Sequence, residues 1–373
     1  MHSAISRDSV AGLEFLHVGC ASGELCLKAL NYGAASATGI DIDADLLRKA
    51  NTAAKGHPSA DFVNADFEDW DGAPRSYDIV ACANLLHHLY DPVAAVRKIM
   101  RLTGRRFYIS VAPTAPKSMN TAGVLAVAKL LSAPVLTLGD RPASLRAADR
   151  TFTLTKSALQ IIINGHSKAY EPIRWSPTRR GSILEARRRQ IDHLVVVAGA
   201  TAVGKSTFID RLDEPLMRAR FGLDAFQYEV VKPEEIDTLR PGRHAGVIYH
   251  YDLLRPFGRP LQTHERDPAF HLLYSAERIT LITLANNSDI LSQRLEQRND
   301  RRAPQWRHHR RALKTDGLAQ PNFLVAWYES WLKSSGRQLS ATDSCHLLLA
   351  DEHYTDLRST ERLLQFVAAP ASR

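Results

Sequence analysis

The sequence predicts an α/β protein made of two doubly wound domains, residues 1–189 and 190–373. Three observations lead there. A chain of 373 residues exceeds what one ordinary core accommodates, since domains run to roughly 150 residues. Apolar runs of strand length alternate with amphipathic helical segments from residue 14 to residue 111, the rhythm of a parallel sheet with crossover helices. After a polar break at Arg187, Arg188, Arg189 and Gln190, the run LVVVAGA at 194–200 starts the pattern again. With 45% hydrophobic and 24% charged residues, the composition is that of a chain that folds throughout.

In the first half EFLHVG reads as a strand, GELCLKALNYG as a helix, ATGIDID as a strand and ADLLRKANTAAK as a helix. ADFVNAD and YDIVACAN follow as strands, then the helix PVAAVRKIMRLT and the strand RRFYISVAP. Beyond Pro113 an insertion loosens the pattern. TFTLTKSALQIIINGHS then reads as a capped helix and RGSILEARR as a last strand. In the second half LVVVAGA, AGVIYHYD, RITLITLA and CHLLLADEHY read as strands. STFIDRLDE, NNSDILSQRLEQRNDRR and NFLVAWYESWLKSS read as helices, the last placing Trp327 and Trp331 four apart in a core. No internal repeat links the halves.

The net charge is +8, with the basic excess in the first half. That balance permits long-range attraction to nucleic acid or anionic glycans without naming either. Cys20, Cys26, Cys82 and Cys345 form neither a CxxC pair nor a metal-ligand spacing, which suits a reducing, cytoplasmic setting. No basic-then-apolar leader opens the chain. The most apolar segment, 122–139, is interrupted by Lys129 and Pro134, so no membrane span is expected.

Ligands of open α/β sheets bind beyond the carboxyl ends of the strands, so the turns there carry the chemistry. The first turn is HVGCASG, where Gly19 and Gly23 allow a tight bend and close backbone approach. The second is GIDID, whose Asp41 can accept from two ribose hydroxyls. The third is NADFEDW, whose Asp66 can accept from an adenine amino group with Phe67 beside the ring. With YDIVACANLLHHLYDP, the segment from about 13 to 113 resembles the class I S-adenosylmethionine-dependent methyltransferases. The resemblance implies that Gly19, Ala21 and Gly23 line the methionine and ribose part of the cofactor, that Asp41 holds the ribose, and that Asp66 and Phe67 hold the adenine. Two positions depart from the family pattern. His17 replaces an acidic residue, and Ala21 replaces a glycine, a change expected to be tolerated if its φ is negative. Of His87 and His88, His88 is the candidate base for a hydroxyl acceptor.

GATAVGKST at 199–207 fits G-x-x-x-x-G-K-[ST] in full, between an apolar strand and a helix. Gly199 and Gly204 let backbone N–H groups face an anion, Lys205 adds a charge for β- and γ-phosphates, and Ser206 is placed for Mg²⁺, with Thr207 beside it. Asp252, ending AGVIYHYD, is the candidate Mg²⁺-organising carboxylate or base. Arg294, Arg298, Arg301 and Arg302 recur at helical spacing. Here the chain looks like the P-loop small-molecule and nucleotide kinases, which implies that Arg298 and Arg302 close on the transferring phosphate of ATP. The segment RRAPQWRHHRR, with Trp306 among arginines, also suits RNA or an anionic polysaccharide.

The leading expectation is therefore a bifunctional enzyme using S-adenosylmethionine, ATP and Mg²⁺, with a small-molecule, sugar or glycan acceptor. Two others stand beside it: an RNA-modifying or RNA-end-processing enzyme, and an ATP-binding regulator whose methyltransferase half is degenerate.

Overall fold

A computed structural model of the chain describes residues 1, 4–73, 76–111, 134, 136–140, 150–178, 181–224, 227–252, 270–297, 307, 310–311 and 343–357. It forms two compact units, Met1–His166 with Tyr170–Arg188, and Ser167–Ala169 with Arg189–Arg373.

The first unit holds helices α1 (Arg7–Val10), α2 (Glu24–Asn31), α3 (Ala44–Ala53), α4 (Pro92–Leu102) and α5 (Lys156–His166). Its strands are β1 (Glu14–Val18), β2 (Ser36–Asp41), β3 (Ala60–Asn64), β4 (Tyr77–Cys82), β5 (Thr103–Val111), β6 (Leu136–Asp140), β7 (Arg150–Leu154), β8 (Arg174–Thr178) and β9 (Gly181–Arg187). Seven of them form one sheet in the order β3-β2-β1-β4-β5-β9-β8. The first five run parallel. Strand β9 runs antiparallel to both neighbours, so the sheet is mixed rather than wholly parallel. Only Arg179 and Arg180 separate β8 from β9, too short a link for a crossover, and such a link forces a hairpin. The segment TFTL is also strand rather than helix. Its alternation of threonine with Phe152 and Leu154 suits a pleated strand, and as β7 it pairs with β6. Helix α5 begins after it, with Thr155 Oγ1 accepting from Ala158 N at 3.2 Å.

Phe15 of β1, Ile79 and Ala81 of β4 and Tyr108 of β5 pack on one sheet face with Leu25, Cys26 and Ala29 of α2. That packing fixes the strand tips, and hence the turns that follow them.

The second unit holds β10 (Gln190–Gly199), α6 (Lys205–Arg211), α7 (Pro215–Phe221), β11 (Glu229–Val231), β12 (Arg243–Asp252), β13 (Ala276–Ala285), α8 (Ser288–Glu296) and β14 (Ser344–Leu349). The sheet order is β11-β12-β10-β13-β14, and every pairing is parallel. A central parallel strand is covered on both faces, which is why LVVVA is continuously apolar. Leu194, Val196 and Ala198 enter one core with Tyr249 and Leu281. Val195 and Val197 enter the other with Phe208 of α6 and Leu291 of α8.

Among the described residues no helix is long and apolar enough to cross a membrane. Most of the 122–139 segment, Trp306, Trp327, Trp331, Arg298, Arg301 and Arg302 lie outside the described residues.

Candidate active sites

In the first unit the turn from β1 to α2 is left-handed at three positions, Gly19 (φ 72°), Ala21 (φ 48°) and Gly23 (φ 77°). The glycines there have distinct reasons. A Cβ at Gly23 would fall 2.7 Å from Phe62 and 2.9 Å from Ala50, so glycine lets α2 start against β3 and α3. At Gly19 a Cβ would press on Leu85 at 3.3 Å, the residue that opens the turn after β4. The condition under which the Ala21 methyl is expected to be tolerated, a negative φ, is not met. Its methyl is held in the region that disfavours side chains.

The Asp41 carboxylate explains why the turn holds that shape. Its Oδ2 accepts from Ala21 N at 2.7 Å and its Oδ1 from Asp43 N at 3.0 Å. One carboxylate thus ties the glycine turn to the tip of β2. A carboxylate offers about four acceptor positions, so capacity remains for hydroxyls. Ile42, the next residue, is 44% exposed, an apolar surface beside the carboxylate that sequence reasoning passed over. His17 is buried within β1, in register with Gly39 and Ala81. Burial, then the Asp41 charge, pushes the Cys20 thiol up to about 12, so it stays a neutral packing group.

After β3, Asp66 Oδ1 accepts from Glu68 N at 2.8 Å. Phe67 is buried, its ring stacked 6.5 Å from Trp70. Lys98 of α4 reaches across this loop. Its Nζ donates to the carbonyls of Phe67 at 2.9 Å, Glu68 at 3.0 Å and Trp70.

After β4, Asn84 is left-handed at φ 53°. Its N–H donates to Ser110 Oγ at 2.7 Å, and that hydroxyl donates to Asn84 Oδ1 at 2.8 Å. This pair pins the turn to the tip of β5. A 3-10 turn at Leu86–His88 follows, with the rings of His87 and His88 4.0 Å apart and His88 on the exposed side. The structure thus brings Gly19, Ala21, Gly23 and Asp41 into one turn cluster. It places Asp66 and His88 on neighbouring loops of the same sheet edge. Glu68, Lys98, Asn84 and Ser110 were not legible in advance, because their partners lie 22–31 positions away in sequence.

In the second unit the turn 199–204 joins β10 to α6. Gly199 has φ 154°, and a Cβ there would strike Leu284 O of β13 at 2.7 Å. Gly204 has φ 105° with open space around it, so only its backbone conformation calls for glycine. Ala202 between them is left-handed at φ 70°. Lys205 is 5% exposed, and its Nζ donates to Gly199 O at 3.0 Å and Ala200 O at 2.9 Å. The ammonium therefore lies across the mouth of its own loop. Ser206 and Thr207 are exposed on the first turn of α6. Asp252 ends β12 in register with Gly199, which puts it one strand from the first glycine of the loop. Arg294 of α8 donates from Nη1 to Ala202 O at 3.2 Å and Val203 O at 3.4 Å, on the carbonyl side of the same loop. Farther along, Arg310 pairs with Glu296 at 2.6 Å.

Residues 15–105 match the family of methyltransferase domains. The chain is 33% identical over 111 residues to the ubiquinone biosynthesis O-methyltransferase of Saccharophagus degradans, covering 28% of this chain and 46% of that protein. It is 34% identical over 105 residues to the enzyme of the same description from Methylococcus capsulatus, covering 26% and 41%. It thus spans less than half the length of these relatives. Among solved structures, magnesium protoporphyrin IX methyltransferase from Synechocystis with bound SAH aligns at 23% identity and a TM-score of 0.33, over 48% of this chain and 75% of that one. An S-adenosylmethionine-dependent methyltransferase from Mesorhizobium loti aligns at 20% and 0.37, over 50% and 95%. Residues 15–105 thus carry the sequence pattern of a methyltransferase domain.

Proposed function

We propose that the first unit binds S-adenosylmethionine and transfers its methyl group to a hydroxyl of a small molecule, sugars included. The observation that carries this is the Asp41 carboxylate fixed at the tip of β2 by Ala21 N and Asp43 N, within a segment that matches methyltransferase domains. The family relatives are described as O-methyltransferases, which favours oxygen as the acceptor atom. When bound, the cofactor supplies an electrophilic methyl on a sulfonium. The glycine turn would hold its methionine and ribose portion, Asp41 the ribose hydroxyls, and Asp66 the adenine amino group. Phe67 would contribute apolar packing from beneath that loop. His88, exposed on the turn after β4, would take the acceptor's proton as the new C–O bond forms and the methyl's bond to sulfur breaks. The test is titration of the full chain with S-adenosylmethionine by calorimetry. Binding in wild type and a loss of at least tenfold in Asp41→Ala are expected. Equal affinity in the two would remove Asp41 from the site.

A second activity rests on the 199–207 loop. We infer that the second unit binds a nucleoside triphosphate with Mg²⁺, ATP first, and transfers its phosphoryl group. Support comes from the intact motif, the strand-to-helix setting, and the Lys205 ammonium lying on the loop's own carbonyls, from which it can turn to a phosphate. Gly199, Gly204 and Thr207 would line the nucleotide, and Ser206 and Asp252 would organise the metal. Arg298 and Arg302 are proposed to close on the transferring group. Lys205→Ala is expected to abolish Mg–ATP binding while leaving the circular dichroism spectrum and S-adenosylmethionine binding unchanged. Retained ATP turnover in that variant would end this reading.

A further inference from the structure

The loop after β3 and the turn after β4 are held together by two oppositely directed clamps. Glu68 receives backbone N–H groups from Tyr90 at 3.0 Å on Oε2 and from Asp91 at 2.8 Å on Oε1. Those are the residues that lead into α4, whose first free N–H groups, at Val93 and Ala94, are capped by Asp91 Oδ1 at 3.0 and 2.9 Å. In the reverse direction Lys98, from the middle of α4, returns its ammonium to the carbonyls of Phe67, Glu68 and Trp70. The Lys98 Nζ also lies 5.3 Å from the centre of the Phe67 ring. Charge-assisted bonds of this kind are roughly twice as strong as neutral ones. Two of them join the loop after β3 to the residues that follow the histidine turn, and three join the same loop to α4. The loop after β3 is itself shaped by Asp66, which accepts from Glu68 N.

A continuous chain of bonds therefore runs from the Asp66 carboxylate to Glu68, and from Glu68 to the backbone two residues beyond His88. We propose that Glu68, with Lys98 opposing it, is a positioning residue that couples occupancy of the adenine end of the cofactor site to the orientation of His88. Neither side chain touches the reacting atoms. Their work is to make the adenine loop and the histidine turn one rigid bracket, so that a cofactor seated on Asp66 presents His88 in the geometry proton removal requires. The proposal rests on the cofactor reading given above.

The test uses the full chain with ¹⁵N-labelled histidine and S-adenosylhomocysteine as the probe, and His88→Ala supplies the assignment. In wild type, saturation with the probe is expected to shift the His88 imidazole signals. In Glu68→Ala the affinity should fall about five- to tenfold, and at full saturation the His88 shift should be lost. Glu68→Gln keeps an acceptor oxygen but loses the charge and one of the two bonds, so it should give an intermediate response and carries the test if the alanine variant does not fold. Lys98→Met should mimic Glu68→Ala. An unchanged His88 response in a saturated Glu68 variant overturns the coupling alone, as does a wild-type His88 signal that ignores the probe. No binding of the probe to wild type overturns the cofactor reading and the coupling together.

Discussion

Ala21 shows how a single methyl group sets the strain of the turn between β1 and α2. Its φ of 48° lies where an L-residue pays about 1–2 kcal/mol for the approach of its Cβ to the neighbouring carbonyl. The residue stays there because its N–H is drawn to Asp41 Oδ2 at 2.7 Å. Replacing it with glycine removes the strain and keeps the bond, while the more flexible unfolded chain offsets part of the gain. Ala21→Gly should therefore be neutral or stabilising by up to about 1 kcal/mol, and S-adenosylmethionine affinity should stay close to that of the wild type, because Asp41 already holds the turn in this shape. Urea melts and calorimetry of the variant check both; a destabilised variant would show that the methyl makes a packing contact that matters. The glycines and Asp41 were legible in the sequence because a left-handed turn and a carboxylate at a strand tip are local patterns. The sign of φ at Ala21 was not, since it depends on a hydrogen bond to a residue twenty positions later.

At the scale of elements, the second unit carries a buried polar cluster on β10, six residues before the 199–204 turn. His193 is fully buried, between Tyr228 OH at 2.6 Å and Arg278 Nη2 at 2.7 Å on Nδ1, with Thr280 Oγ1 at 2.9 Å on Nε2. A guanidinium only donates, so Nδ1 accepts and Nε2–H donates to Thr280, and the ring is neutral. Burial, then the Arg278 charge, pushes its pKa down to about 4 from the usual 6.5. The unfolded chain then binds more protons than the native one between those values, so this residue's contribution is full above about pH 6.5 and is lost as pH falls toward 4. The loss is on the order of 3 kcal/mol. Denaturant melts of the second unit at pH 7, 5.5 and 4 should show this slope, and His193→Gln, which keeps one donor and one acceptor, should flatten it. A slope unchanged by that substitution would assign it to other groups. Helix and strand positions in this unit follow from apolar runs, but the cluster itself joins β10, β13 and the segment before β11. Such partners are set by sheet order, and no local pattern in LVVVAGA or RITLITLA announces them. The antiparallel β9 was missed for the same reason, since strand direction depends on how the chain returns to the sheet.

At the scale of the whole molecule, the chain passes from one unit to the other three times. Ser167–Ala169 belongs to the second unit although it precedes the strand Gly181–Arg187 of the first. There Ala169 O accepts from Arg189 N at 2.8 Å and from Ser275 Oγ at 3.2 Å, while Lys168 pairs with Asp237 at 2.5 Å. A cut at residue 189, where composition alone suggests one, therefore removes Ser167–Ala169 and Arg189, four residues that the second unit uses. The fragment 190–373 should melt at lower temperature than the same unit within the full chain. Each unit also has its own core and its own proposed ligand, which makes their stabilities separable. A ligand that binds only the native form of one unit at 100 times its Kd raises that unit's stability by about 2.7 kcal/mol and leaves the other untouched. Calorimetric scans of the full chain should thus resolve two transitions, one moved upward by S-adenosylhomocysteine and the other by Mg–ATP. Asp41→Ala should silence the first response alone and Lys205→Ala the second alone. If either ligand moves both transitions, or a single substitution abolishes both responses, the two sites are thermodynamically linked and the units do not unfold as independent bodies.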